Sequence, residues 1–196
     1  MSVILVTGGA RSGKSSFGEL IAKKLGGDRV IYIASGVAVD QEMKERIAAH
    51  KKSRPDGWKT VEAPINICSE LKKISKGSVV LFDCLTTYLS NLLIREEDKE
   101  YREIEKILLK EVRDILKTAE ERKLEFIIIQ NEIGQGVVPP HKLGRYFRDI
   151  SGRAARICAS AAERVFTMTA GLPREIKGEG LEIIKLFSDN EEVDVL

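Results

Sequence analysis

Eight residues near the start of the chain, Gly8, Gly9, Ala10, Arg11, Ser12, Gly13, Lys14 and Ser15, satisfy the pattern G-x-x-x-x-G-K-[ST]. The apolar run "VILV" at 3–6 precedes them and a helical pattern at 14–25 follows, which is the context the pattern requires. Glycines let the backbone fold around phosphates, main-chain N–H groups and a helix N-terminus point at them, Lys14 neutralises their charge, and the Ser15 hydroxyl can ligate Mg²⁺. The chemistry in prospect is transfer from a nucleoside triphosphate. Asp83, which ends the run "VVLFD" at 79–83, stands where such a loop finds a second carboxylate for its metal, directly or through water. The same aspartate can cap the helix that begins near "CLTTYL", and the two roles are compatible.

In "DQEMKERIAAHKKSRPDGW", Met43, Ile47 and His50 fall at i, i+4 and i+7 of a helix predicted over 39–52. His50 therefore shares the apolar face, with Arg46 one turn before it and Lys51 and Arg54 close after. Those cations would sit near any phosphate that approaches the imidazole. A surface or helix-capping histidine fits the same pattern, so periodicity alone leaves the role of His50 open. No N-K-x-D stretch for reading guanine and no arginine-studded lid is present, which disfavours a regulatory GTPase and a plain nucleotide kinase.

Six blocks in order, "VTGGARSGKS", "YIAS", "DQEMKERIAAHKKSRPDGWKTVEAP", "DCLTTYLSNLL", "NEIGQGVVP" and "RYFRDISGRAARICASAAERVFTMTAGLP", resemble the adenosylcobinamide kinase / adenosylcobinamide-phosphate guanylyltransferase family of cobalamin biosynthesis. The resemblance runs collinearly from about residue 2 to residue 173. It implies an enzyme that phosphorylates the aminopropanol hydroxyl of adenosylcobinamide and then attaches GMP from GTP through a guanylylated histidine, with Lys14 and His50 as catalytic residues. His50 matches the GMP-carrying position, although Ala49 stands where many relatives have a second histidine. The resemblance further implies that Gly8 to Ser15 hold the triphosphate and that Ala34, Ser35 and Gly36 lie beside the nucleotide. It gives Lys51, Lys52, Ser53, Arg54 and Glu62 a part in GTP binding, Ser15 and Asp83 the Mg²⁺, and the protein a homotrimeric state. Arg54 also reads as a solvated loop charge and Glu62 as an edge-strand carboxylate. The expected substrates are GTP or ATP, adenosylcobinamide and its phosphate, with no tightly bound organic cofactor. The rival readings are a small-molecule kinase without a covalent step and a noncatalytic GTP-binding regulator.

The elements that must position these residues are short apolar runs at 3–6, 30–34, 79–82 and 126–129, unalternating and rich in branched side chains, as strands buried on both faces are. Helical patterns at 14–25, 39–52, 65–75, 86–94, 98–122 and 141–162 alternate with them. The expected fold class is α/β, a three-layer P-loop NTPase fold of RecA-like type, mostly parallel with an antiparallel edge. Stretches 164–170 and 181–187 each read as a further strand, the second as a hairpin partner at the sheet edge, and "GLPREIKGEG" between them as turn material. The whole of 1–196 is expected to form one domain, with 174–196 a C-terminal extension of unassigned role.

Asn131 and Glu132 follow the strand "FIIIQ" at its carboxyl end, where ligands of open α/β sheets collect, and are candidates to orient the acceptor hydroxyl or to form a turn. Arg145, Arg148, Asp149 and Arg153 read as an intersubunit or corrinoid-facing surface, or as ordinary helix ion pairs. His141 receives no role. A formal net charge of +2 with interspersed signs gives no field for nucleic acid. The three cysteines, Cys68, Cys84 and Cys158, form neither a disulfide framework nor a zinc motif. With no signal-peptide core and no run long enough to span a membrane, the expected setting is the cytoplasm.

Overall fold

A computed structural model describes residues 2–37, 41, 45 and 55–187. Its centre is a seven-stranded sheet of order β3-β2-β4-β5-β1-β6-β7. The strands are β1 (Ser2–Gly8), β2 (Val30–Ala34), β3 (Lys59–Glu62), β4 (Val79–Asp83), β5 (Glu125–Asn131), β6 (Arg164–Thr169) and β7 (Leu172–Glu175). All pairings are parallel except β6 with β7. The helices are α1 (Lys14–Gly26), α2 (Ile67–Lys73), α3 (Leu85–Arg95), α4 (Tyr101–Glu121), α5 (Lys142–Ala161) and α6 (Lys177–Phe187). The helix predicted over 39–52 lies outside the described residues except at Gln41 and Glu45. Both of these are helical, and Gln41 Nε2 donates to Glu45 Oε1 at 3.1 Å.

Strand alternation divides the core into two layers. Val3, Leu5, Phe82, Phe126, Ile128 and Val165 face one way and pack with α2, α3, α4 and α5. Ile4, Val6, Tyr32, Leu81, Ile127, Ile129 and Phe166 face the other way, where Ala22, Phe17 and Ile21 of α1 meet them. Helix α1 comes close to the sheet at Gly18, where a Cβ would stand 2.5 Å from Ile129 Cδ1 and 3.2 Å from Leu81 Cδ1. Helix α4 buries Ile104, Leu108, Val112, Ile115 and Ala119 at helical spacing, with ion pairs such as Lys110–Asp114 on its outer side.

Two elements depart from the sequence expectation. Residues 181–187 are not a strand but the second half of α6. The half-buried positions Lys177, Leu181 and Ile184 recur at i, i+4 and i+7, and a seven-residue stretch with five apolar residues satisfies both periods. The helix is moored at its start by Lys177 Nζ, which donates to the carbonyls of Ala159, Ser160 and Ala162 at the end of α5. The antiparallel edge exists, but Leu172–Glu175, read as turn material, supplies it. Its two-residue turn, Ala170 at φ 51° and Gly171 at φ 84°, has the positive φ pair that tight hairpins favour. Strand β3 was legible only as a suspicion about Glu62, because Lys59–Glu62 is short and has no buried residue.

Candidate active site

Register sets the site at the carboxyl edge of the sheet. Glu62, Ala34 and Asp83 are consecutive register neighbours across β3, β2 and β4, and Gly8 pairs with Asn131 on one side and Met168 on the other. Since β5 lies between β1 and β4, its end separates the phosphate loop from Asp83.

The loop leaves β1 at Gly8, which no other residue could replace without strain. Its φ is +154°, and a Cβ would stand 2.7 Å from both the Met168 carbonyl oxygen and Ser12 Oγ. Ser12 N donates to Gly9 O at 3.3 Å, and Gly13, at φ 92°, caps α1. Lys14 is buried and its Nζ donates to Gly9 O at 3.1 Å, so the ammonium bends back across the loop it is to serve. Ala10 and Arg11 are exposed at the loop tip. Ser12 Oγ is buried with no hydrogen-bond partner, a donor held inside the loop. The loop rests on the β6–β7 turn, where Gly171 N donates to Ser12 O at 3.0 Å. Sequence reading missed Gly171, since its only signal was a glycine in a turn.

Asp83 projects to the α1 side of the sheet. Tyr32, 2% exposed, donates through its hydroxyl to Asp83 Oδ2 at 2.7 Å and fixes the carboxylate. Among the described residues neither Asp83 Oδ1 nor the half-buried Ser15 hydroxyl makes a hydrogen bond. This pair fits a hard, oxygen-preferring cation completed by phosphates and water, and the described residues hold no cluster of three or more His, Cys, Asp or Glu that would bind a metal unaided. Tyr32 escaped sequence reading because "VIYIA" looks like core, which it also is.

Ser35 is wholly buried, and its hydroxyl accepts from Cys84 N at 3.0 Å and donates to Cys84 O at 2.8 Å. It thus pins β2 to the Asp83–Cys84 junction, whose peptide bond is cis, while Gly36 beside it is exposed. Cys84 caps α3, its sulfur accepting from Thr87 N at 3.4 Å. Burial and then the Asp83 charge raise its thiol pKa above the ordinary value, so the group is no nucleophile at neutral pH. Glu62 lies exposed at the far end of the rim. His50, Lys51, Lys52, Ser53 and Arg54 lie outside the described residues.

On the opposite side of the sheet from Asp83, Glu132 follows β5. Its N–H donates to Gly8 O at 3.0 Å, and its carboxylate accepts from Thr7, Thr167 and Gln135. The arginines of α5 have local partners: Arg145 donates to the Pro139 and Pro140 carbonyls, Arg148 pairs with Asp149, and Arg153 pairs with Glu105 at 2.6 Å. Arg148 and Arg153 are thus in ion pairs, and Arg145 is bonded to main-chain carbonyls.

A parallel sheet whose first strand runs through a glycine-rich loop into a helix bearing Lys14 and Ser15, with a carboxylate ending a nearby strand, defines a P-loop NTPase fold. An ATPase from the type III secretion system of pathogenic bacteria shares it, with a TM-score of 0.54 at 13% identity over 92% of this chain and 60% of the other, a likeness of fold alone. Residues 4–176 match the family model described as cobinamide kinase / cobinamide phosphate guanyltransferase. The bifunctional adenosylcobalamin biosynthesis protein CobU of Escherichia coli is 36% identical over 184 residues, covering 89% of this chain and 99% of that protein. CobP of Pseudomonas aeruginosa, which carries the same bifunctional description, is 39% identical over 178 residues, 90% of this chain and 98% of its own. The chain belongs to the cobinamide kinase / cobinamide phosphate guanyltransferase family.

Proposed function

We propose that this protein phosphorylates the aminopropanol hydroxyl of adenosylcobinamide and then joins GMP from GTP to the new phosphate through a guanylylated His50, giving adenosylcobinamide-GDP. The observation that carries the reading is the family match over residues 4–176, which spans the phosphate loop, the His50 segment and Asp83 in one stretch. In the first reaction the hydroxyl oxygen attacks the γ-phosphorus of GTP or ATP and the nucleoside diphosphate leaves with the bonding pair. In the second, a neutral imidazole nitrogen of His50 attacks the α-phosphorus of GTP and pyrophosphate leaves. An oxygen of adenosylcobinamide phosphate then attacks the same phosphorus and frees the histidine.

Lys14 and the N–H groups of Gly8 to Ser15 bind and neutralise the triphosphate. Ala34, Ser35, Gly36, Lys51, Lys52, Ser53, Arg54 and Glu62 complete the nucleotide site in this reading. Ser15 and Asp83 would hold Mg²⁺, which neutralises charge on the phosphate oxygens when bound. A cytoplasmic homotrimer is the assembly and setting we assign, on the family resemblance.

The test is incubation with GTP labelled at the α-phosphate and Mg²⁺ without corrinoid, followed by denaturation, intact mass and site mapping. One acid-labile GMP on His50 is the expected product, and His50→Ala should abolish it while sparing phosphorylation of adenosylcobinamide. Absence of the adduct in protein that binds GTP would refute the covalent route and favour a simple kinase.

A further inference from the structure

We propose that Glu132 is the proton acceptor for the kinase half of the reaction only, so that one site uses different residues for its two nucleophiles: Glu132 for the corrinoid hydroxyl and His50 for the guanylyl group. The inference rests on the functional reading above.

Placement comes first. Glu132 stands just past the end of β5, and its backbone is bonded to Gly8, the residue where the phosphate loop begins. Gln130, two residues earlier, points into the layer beneath α5, where its Nε2 donates to Ser151 O at 2.9 Å, and Glu132 continues that side. Asp83 and Tyr32 occupy the other side, with α1. The carboxylate suited to a metal and the carboxylate at Glu132 thus flank the loop from opposite faces of the sheet. A nucleophile activated at Glu132 can approach a bound phosphate without displacing the cation side.

The hydrogen bonds come second. Glu132 Oε1 accepts from Thr7 Oγ1 at 3.3 Å and from Thr167 Oγ1 at 3.4 Å, so the side chain reaches across the end of β1 to β6. Glu132 Oε2 accepts from Gln135 Nε2 at 2.9 Å. A carboxylate oxygen has two lone pairs, so Oε1 takes two long threonine contacts while Oε2, with one partner, keeps an acceptor position. Among the described residues no cation pairs with this carboxylate, whereas Glu70, Glu105 and Asp114 on the helices are each in an ion pair. The threonines orient the half-buried side chain, and its backbone bond to Gly8 keeps it at the start of the phosphate loop. The loop that follows exposes Val137 and Val138, at 95% and 57%.

The step balances. As the hydroxyl oxygen forms its bond to the γ-phosphorus, the bond to the β–γ bridging oxygen breaks and the nucleoside diphosphate takes the electron pair. The hydroxyl proton passes to Glu132 Oε2 and is later released to water. Guanylyl transfer needs no such acceptor, because a neutral imidazole attacks first and an already ionised phosphate second.

The experiment compares wild type, Glu132→Gln and Glu132→Asp in two assays. One follows phosphorylation of adenosylcobinamide, and the other follows GMP transfer from α-labelled GTP to supplied adenosylcobinamide phosphate. A general base contributes about 10²–10⁴-fold, so Glu132→Gln should lower kinase kcat by roughly 100-fold or more. Its nucleotide KM and the transferase rate should stay within about threefold, since truncating the base removes an interaction made only in the kinase transition state. Glu132→Asp, which keeps a carboxylate but withdraws it, should show a smaller one-sided loss and serves if the Gln variant folds poorly. Equal loss in both assays would mean that Glu132 only props the phosphate loop, and an unchanged kinase rate would remove it from the chemistry; either overturns the proposal. Wild-type protein inactive in both assays would instead refute the functional reading itself, and this role with it.

Discussion

Gly8 and Gly9 are adjacent in the phosphate loop, and the structure predicts opposite outcomes for the same one-carbon addition. In Gly8→Ala the new Cβ would meet a backbone oxygen, Met168 O, at 2.7 Å, at a φ of +154° that L-residues avoid. Strained backbone costs about 1–3 kcal/mol and overpacking about 1–3 kcal/mol. The central expectation is a loss of roughly 4 kcal/mol, or about 12 °C in Tm at the 2–4 °C per kcal/mol usual for this chain length. A Cβ on Gly9 meets nothing within 4 Å, so Gly9→Ala in nucleotide-free protein should stay within about 0.5 kcal/mol of wild type. Thermal and urea unfolding without ligand give the stabilities, and titration with a fluorescent GTP analogue reports whether the loop still binds. Gly8→Ala should lose both stability and binding. If it melted and bound like wild type, the loop would not lie against β6 as described, and the buttressing by the β6–β7 hairpin would be wrong.

Lys14→Ala should reduce turnover in both half-reactions by about 10²–10³-fold, the usual cost of removing one transition-state donor, with little change in melting temperature. Tyr32→Phe frees Asp83 from its 2.7 Å hydrogen bond and should raise the Mg²⁺ concentration for half-maximal GTP-analogue binding about 10-fold or more; an unchanged Mg²⁺ dependence would remove Asp83 from the metal. Burial pushes the Cys158 thiol up to about 12 from an ordinary 9.0. Because the folded pKa is raised, its stabilising contribution is complete below pH 9 and is lost as pH rises from 9 towards 12, at about 1.4 kcal/mol per pH unit. Urea midpoints of wild type and Cys158→Ala over pH 8–10 should therefore converge as pH rises. Half-buried Cys68 should react with a thiol reagent before Cys84 and Cys158, which are 7% and 1% exposed.

The central strands were legible because Val3–Val6, Val79–Phe82 and Phe126–Ile129 are buried on both faces and admit no other reading at that length. The phosphate loop was legible because its pattern fixes residue types at set intervals between a strand and a helix, and Asp83 because it ends an apolar strand. Legibility failed where the chain lies at the margin of the sheet. "LEIIKLF" satisfies two periods, and its helix is settled by Lys177 reaching three carbonyls of the preceding segment, a tertiary fact. "LPRE" forms a strand with every residue exposed, so no hydrophobic pattern announces it. Tyr32, Thr7 and Thr167 act through hydroxyls on otherwise ordinary strands, and only the register of β1, β2, β4 and β6 reveals whose carboxylate each one holds.

The position of β1 has a consequence for how this protein is made. Its partners are β5 and β6, encoded at residues 125–131 and 164–169, whereas β2, β3 and β4 can pair with one another earlier. At 5–20 residues per second, the ribosome leaves the first strand without either neighbour for roughly 6–25 s. Throughout that interval an apolar segment with two open edges is exposed, and the glycines behind it have no Met168 or Gly171 to rest on. Triphosphate binding therefore waits for residues 164–171 to emerge. A nascent chain arrested before residue 164 would hold every residue of the phosphate loop and still bind no nucleotide.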